Sequence, residues 1–140
     1  MKSKPSWKNQ FVCIEGNSEF HESVREVFIK DSSFKLMSCY QEVPVSDLVE
    51  GYPNQLHRVD WYIPNYNVIL ELHGNQHYKV TNRGGVSYNE AVRMFKQSKS
   101  RDIIKRESLI EAGYTFIEIP YKDRKKISAT YLRERILGVR

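Results

Sequence analysis

The chain has 140 residues, 40% of them hydrophobic and 28% charged, which is the make-up of one ordinary globular domain with a single core. It carries a formal net charge of +5, the sign expected of a nucleic-acid partner. No apolar run approaches a membrane span, the N-terminus lacks a secretory h-region, and Cys13 and Cys39 form no C-x-x-C pair. A membrane protein, a disulfide framework and a four-cysteine zinc site are thereby set aside. Two reduced thiols suit a cytosolic protein.

Residues 1–16 read as an N-terminal arm whose one apolar run is Phe11–Ile14. Asn17 or Ser18 then caps a helix, with Glu19 and Glu22 where the helix dipole favours acids. Phe20, Val24, Val27 and Phe28 follow helical spacing, and the helix is expected to end near 31–33. Residues 34–45 alternate roughly and predict a strand that Pro44 ends or places at an edge. A loop with Gly51, Pro53 and Asn54 follows.

Two strands are predicted next, over 57–63 and 67–73, joined by a hairpin-like 64–67 segment. Val68, Ile69, Leu70 and Leu72 form the nearly continuous apolar run of a strand covered on both faces. Glu71 sits inside that run, where a carboxylate is costly unless paired, hydrogen-bonded or metal-bound. Asp60 lies on the strand before it. Two acids on neighbouring strands, with a basic side chain two residues after the second, suit a divalent metal and a water. Residues 79–87 form a polar loop with Gly84 and Gly85. A long helix over about 88–112 follows, with apolar positions Val92, Phe95, Ile103, Ile104, Leu109 and Ile110 and Gly113 as its cap. A strand over 114–121 and a helix over about 128–137, with Tyr131, Leu132, Ile136 and Leu137 inward, close the chain. The order α-β-β-β-α-β-α predicts an α/β fold with a mixed central sheet between helices.

That order, with acids on the second and third strands, resembles the core of the PD-(D/E)xK nuclease superfamily. Its motif corresponds here to Val59-Asp60 and Glu71-Leu72-His73. Val59 replaces the motif proline, and His73 replaces the lysine that orients or activates the water in that family. The run E-L-H-G-N-Q-H-Y is similar to the signature of very-short-patch-repair-like endonucleases and their phage-borne and homing relatives. The later segment with Asp102, Lys105 and Gly113 matches the same branch. The resemblance spans about 18–121 and implies a restriction-endonuclease-like core in one nuclease domain over 1–140.

It implies a metal-dependent DNA endonuclease using Mg²⁺ or Mn²⁺. Asp60 and Glu71 would ligate the metal, with the Leu72 carbonyl as a third donor. His73, on the same strand face as Glu71, would be the base or orient the water. His77 would protonate the leaving oxygen, contact the phosphate or hold Asp102, which would fix a histidine tautomer. Gln76 would orient the water or His73. The family's first-helix acid falls on His21 by spacing, while the acid present is its neighbour Glu22, and both stay candidates. Arg93, Lys96, Lys99, Arg101 and Lys105 form a basic stripe for the DNA backbone. Structural readings compete with these: Asp60 paired with Arg58, Glu71 in a core ion pair, Asp102 paired with Lys105 or Arg106. Zinc on His73 and His77 lacks an evident third soft ligand. A non-catalytic nucleic-acid-binding module and an RNA nuclease are the other functional readings. The small chain favours recognition of DNA structure, a homodimer, or service as one domain of a larger nuclease. The expected location is the cytoplasm or nucleoid of a bacterial or phage-infected cell.

Overall fold

The structure is a computed structural model that describes residues 18–74 and 85–138. The N-terminal arm, Gln76, His77 and Gly84 lie outside the described residues. Helix α1 (Glu19–Lys30) starts where the Ser18 hydroxyl accepts from the His21 N–H. It buries Phe20, Val24 and Phe28, one residue per turn on one side. Strands β1 (Tyr40–Pro44), β2 (Arg58–Ile63) and β3 (Val68–Leu72) pair antiparallel in chain order. Helix α2 (Tyr88–Glu111) is the crossover that lets β4 (Thr115–Ile119) pair parallel with β3. Helix α3 (Ala129–Leu137) is capped by Ser128. Among the described residues the fold is therefore α/β with one mixed four-stranded sheet, in the order β1-β2-β3-β4.

Both faces of the sheet are covered, which is why all five residues of β3 are buried. On one face Trp61, Leu70 and Ile119 meet Phe28 of α1 and Leu132 of α3. On the other, Val43 and Ile69 meet Val45, Tyr52 and Leu109 of α2. Asn67 turns the chain between β2 and β3 with a left-handed φ of 55°. Its side chain donates to the Gly113 carbonyl, and its own carbonyl accepts from Thr115 N–H, so the turn also fixes where β4 begins. Gly113, at φ +101°, ends α2 in a conformation that disfavours any side chain. Among the described residues no helix is long and apolar enough to cross a membrane.

Two expectations need correction. The predicted strand over 34–45 keeps only Tyr40–Pro44. The Asp31 carboxylate accepts from the Ser33 and Phe34 N–H groups, and the chain folds into turns. Phe34 is buried against Phe28 while Leu36 is 84% exposed, so the apparent alternation was that of a turn around one anchored phenylalanine. On α2, Ile103, Ile104 and Ile110 are exposed, and Leu109 is the buried residue among the expected set. The stripe that continues inward from Leu109 is Lys105 and Asp102, at helical spacing, so polar groups face the sheet where a core was expected.

Phe28 stacks edge-on against Trp61 and packs on Phe34, at centroid distances of 4.7 and 5.0 Å. Phe28→Ala is expected to cost ~3–5 kcal/mol in urea denaturation. Ile103→Ala, on the open side of α2, is expected to shift stability by about 0.5 kcal/mol or less.

Candidate active site

The register of β2 and β3 runs from Ile63↔Val68 to Trp61↔Leu70. One step further would place Asp60 opposite Glu71. There the two acids take over the ladder's hydrogen bonds. Asp60 N–H donates to Glu71 Oε2 at 3.3 Å, and Leu72 N–H donates to Asp60 Oδ2 at 2.7 Å. Each carboxylate thus holds the opposing strand's backbone, and both are fixed without solvent.

The flanking helices reach this pair from opposite faces of the sheet. From α1, His21 Nε2 lies 3.6 Å from Asp60 Oδ1, while its Nδ1 is 2.9 Å from the Ser18 hydroxyl. From α2, Lys105 Nζ lies 2.6 Å from Glu71 Oε1 and donates to the Arg58 carbonyl at 2.8 Å. A cleft of about 430 Å³ opens beside them, lined also by Asn54, Leu56, His57, Arg101 and Asp102. Glu42 approaches from β1, where it alone among that strand's residues has a left-handed backbone, φ 56°. Such strain in a non-glycine strand residue is a mark of functional sites.

Charge is unevenly balanced here. Burial works against ionised Asp60, but hydrogen bonds with His21, Glu71 and Leu72 N–H outweigh it and hold the carboxyl below its usual range. Glu71 goes the other way: burial, then the neighbouring Asp60 charge, push it well above the usual range despite Lys105. His21 is raised by its contact with Asp60, against the effect of burial. Burial disfavours charged Lys105, but Glu71 and Asp60 raise it overall, so it stays an ammonium. Glu42 is raised by burial and then by Asp60.

The sequence-predicted residues divide accordingly. Asp60, Glu71, Leu72 and Asp102 all line the cleft, as does Arg101. The pairing of Asp60 is with His21, whereas Arg58 donates to the Glu42 carbonyl. Glu22 pairs with Arg25 at 3.5 Å, so the first helix turns His21, not Glu22, to the site. His73 Nε2 sits 2.9 Å from Glu118, which also holds Arg106, in a cluster beside the β3–β4 pair rather than in the cleft wall. The basic stripe is not one surface. Arg93 pairs with Glu90, Lys96 is exposed and Lys99 lies over the Phe95 ring, while Lys105 is buried on Glu71. Lys105 is therefore a member of the acid site and not a surface phosphate contact. Glu42, Tyr52 and His57 were missed, and nothing in local spacing marks them.

Asp60 and Glu71 are the residues that can hold a hard divalent cation. Among the described residues no three or more His, Cys, Asp or Glu side chains form a ligand set by themselves. Mg²⁺ does not need one, since it keeps several waters and takes one or two carboxylates. The donors fit: two carboxylates lie side by side at the cleft wall, Glu71 Oε1 is held only by the Lys105 ammonium among the described residues, and burial with the adjacent Asp60 charge pushes Glu71 well above its usual range. Compared with protein-family models, curated proteins and solved structures, the chain matches none.

The sign of the Glu71 shift gives a stability test on the metal-free protein. A carboxyl raised above its ordinary value of 4.5 costs the fold nothing below that pH, and the cost grows as pH rises above it. Glu71→Gln is therefore expected to melt at or above the wild-type temperature at pH 8. The gap should close as pH falls toward 4 in calorimetric scans.

Proposed function

We propose that the chain is a metal-dependent DNA endonuclease with a PD-(D/E)xK-type site on a restriction-endonuclease-like core. The observation that carries this is the Asp60–Glu71 pair, half-buried and buried respectively, with the Lys105 ammonium 2.6 Å from Glu71, at the wall of an open cleft. Two acids and an amine are the groups of the family motif. Here the amine comes from α2, because the motif's third position holds His73.

Asp60 and Glu71 would hold Mg²⁺ or Mn²⁺, which supplies charge to polarise the phosphate, acidify a water and stabilise the leaving oxygen. Lys105, anchored by the Arg58 carbonyl and Glu71, offers its remaining N–H to a water or phosphate oxygen. His21 keeps Asp60 ionised by presenting Nε2 to Oδ1. Arg101, exposed at the cleft, supplies positive charge for the adjoining phosphate. Water oxygen bonds to phosphorus and releases one proton to solvent, one P–O ester bond breaks, and the departing oxygen takes up one proton from solvent, so water is divided between the two products.

The competing reading is a non-catalytic nucleic-acid-binding module on the same fold. It is favoured by one observation: Lys105 already partly neutralises Glu71. Cleavage decides between them. Wild type is expected to nick or linearise supercoiled plasmid with Mg²⁺ or Mn²⁺. Asp60→Ala and Glu71→Ala should abolish this, and Lys105→Ala should lower it by about 10²-fold or more. His73→Ala should lose less than Lys105→Ala. Plasmid, branched DNA and RNA tried side by side identify the substrate. Failure on all of them with every divalent metal, or full activity of Asp60→Ala, overturns the enzyme.

A further inference from the structure

The cleft contains a second device that the acid pair does not use. Tyr52 and His57 stand on the loop between β1 and β2, and His57 lines the cleft together with Asp60 and Glu71. The Tyr52 hydroxyl lies 2.6 Å from His57 Nδ1, with the rings 5.6 Å apart. Tyr52 is only 7% exposed and packs in the core on the α2 side of the sheet. The backbone at His57 is also held, since its carbonyl accepts from Val45 N–H at 2.9 Å. The residue is thus held at its backbone carbonyl and at ring Nδ1.

Either partner of this bond can donate, according to the imidazole tautomer. Among the described residues the Tyr52 hydroxyl meets no other acceptor, which favours donation to Nδ1. A neutral imidazole that accepts at Nδ1 carries its proton on Nε2. Burial first, then Arg101 and Lys105 of α2, keep the ring uncharged, with Asp102 of the same helix opposing them. Among the described residues the other ionisable groups of the cleft are His21, Arg58, Asp60 and Glu71. Burial likewise holds Tyr52 above its usual range, so the phenol remains a donor. In that tautomer the ring, which lines the cleft with Arg101 and Lys105, carries its one N–H at Nε2. That wall suits an anionic acceptor, and in a nucleic-acid cleft the acceptor is a phosphate oxygen.

We propose that His57 is a phosphate-positioning residue, its tautomer fixed by the Tyr52 hydroxyl, whose Nε2–H binds a phosphate oxygen of the nucleic acid lying across Asp60 and Glu71. The proposal rests on the nucleic-acid reading of the cleft. It assigns His57 neither the removal of a proton from water nor the delivery of one to the leaving group.

Three experiments test it, and the first two need no cleavage. Long-range ¹H–¹⁵N NMR of the metal-free protein should show His57 as the Nε2–H tautomer, mixed or reversed in Tyr52→Phe. Titration with a short DNA duplex should then shift the ring signals. In fluorescence anisotropy with that duplex, His57→Ala should weaken binding about tenfold or more, as expected for a lost hydrogen bond to a charged group. His57→Gln, which keeps a neutral N–H donor, should recover most of the affinity. In plasmid cleavage the His57→Ala loss should fall mainly on KM. An Nδ1–H tautomer overturns the proposal, as does a ring unmoved by DNA, or wild-type binding by folded His57→Ala. Should His57→Ala not fold, His57→Gln must bind and Tyr52→Phe must weaken binding; an unaltered Tyr52→Phe overturns it. If wild type cleaves nothing, the endonuclease reading falls while the NMR and anisotropy arms still decide the role of His57.

Discussion

The exchange of hydrogen bonds between Asp60 and Glu71 is the constraint on which the rest of the structure depends. Each carboxylate accepts from the other strand's backbone, so neither can leave without orphaning a buried N–H. Together they stop the β2–β3 ladder at Trp61↔Leu70 and open the cleft at that point. They also concentrate negative charge where β3 is buried on both faces. His21 and Lys105 follow from that charge, one from each helix layer.

Helix α2 shows what this arrangement displaces. A helix crossing between parallel strands ordinarily lays an apolar stripe on the sheet. Here only Ala91 and Leu109 are buried, and the inward turn between them and the sheet carries Asp102 and Lys105. Ile103, Ile104 and Ile110 are left facing outward. Stability on this face comes instead from Tyr52, Val45 and the turn after β1, and those residues also hold His57. Core and site are therefore built from the same segments.

The element order and the mixed sheet were legible because they rest on periodicity and punctuation: the Ser18 cap, the five-residue apolar run of β3, and Gly113 after α2. The acid pair was legible because a glutamate inside a buried strand demands a partner. The identity of that partner was not, since Lys105 lies far along the chain and looks like one of several basic residues on a polar helix. His73 had the right strand face, but the parallel neighbour Glu118 takes its imidazole. The first-helix position was open between His21 and Glu22 until the Ser18 cap fixed the helix phase. Tyr52 and His57 sit in a loop without periodicity, and their pairing is visible only in space.

As proposed, the Asp60–Glu71 pair takes a divalent cation, and Lys105 partly balances the pair's charge without it. The most direct measurement is anomalous diffraction from a crystal soaked in Mn²⁺. The expected result is a peak in contact with both carboxylates and Lys105 moved off Glu71 Oε1. Saturating Mn²⁺ with no peak there, and Lys105 still paired with Glu71, would contradict it.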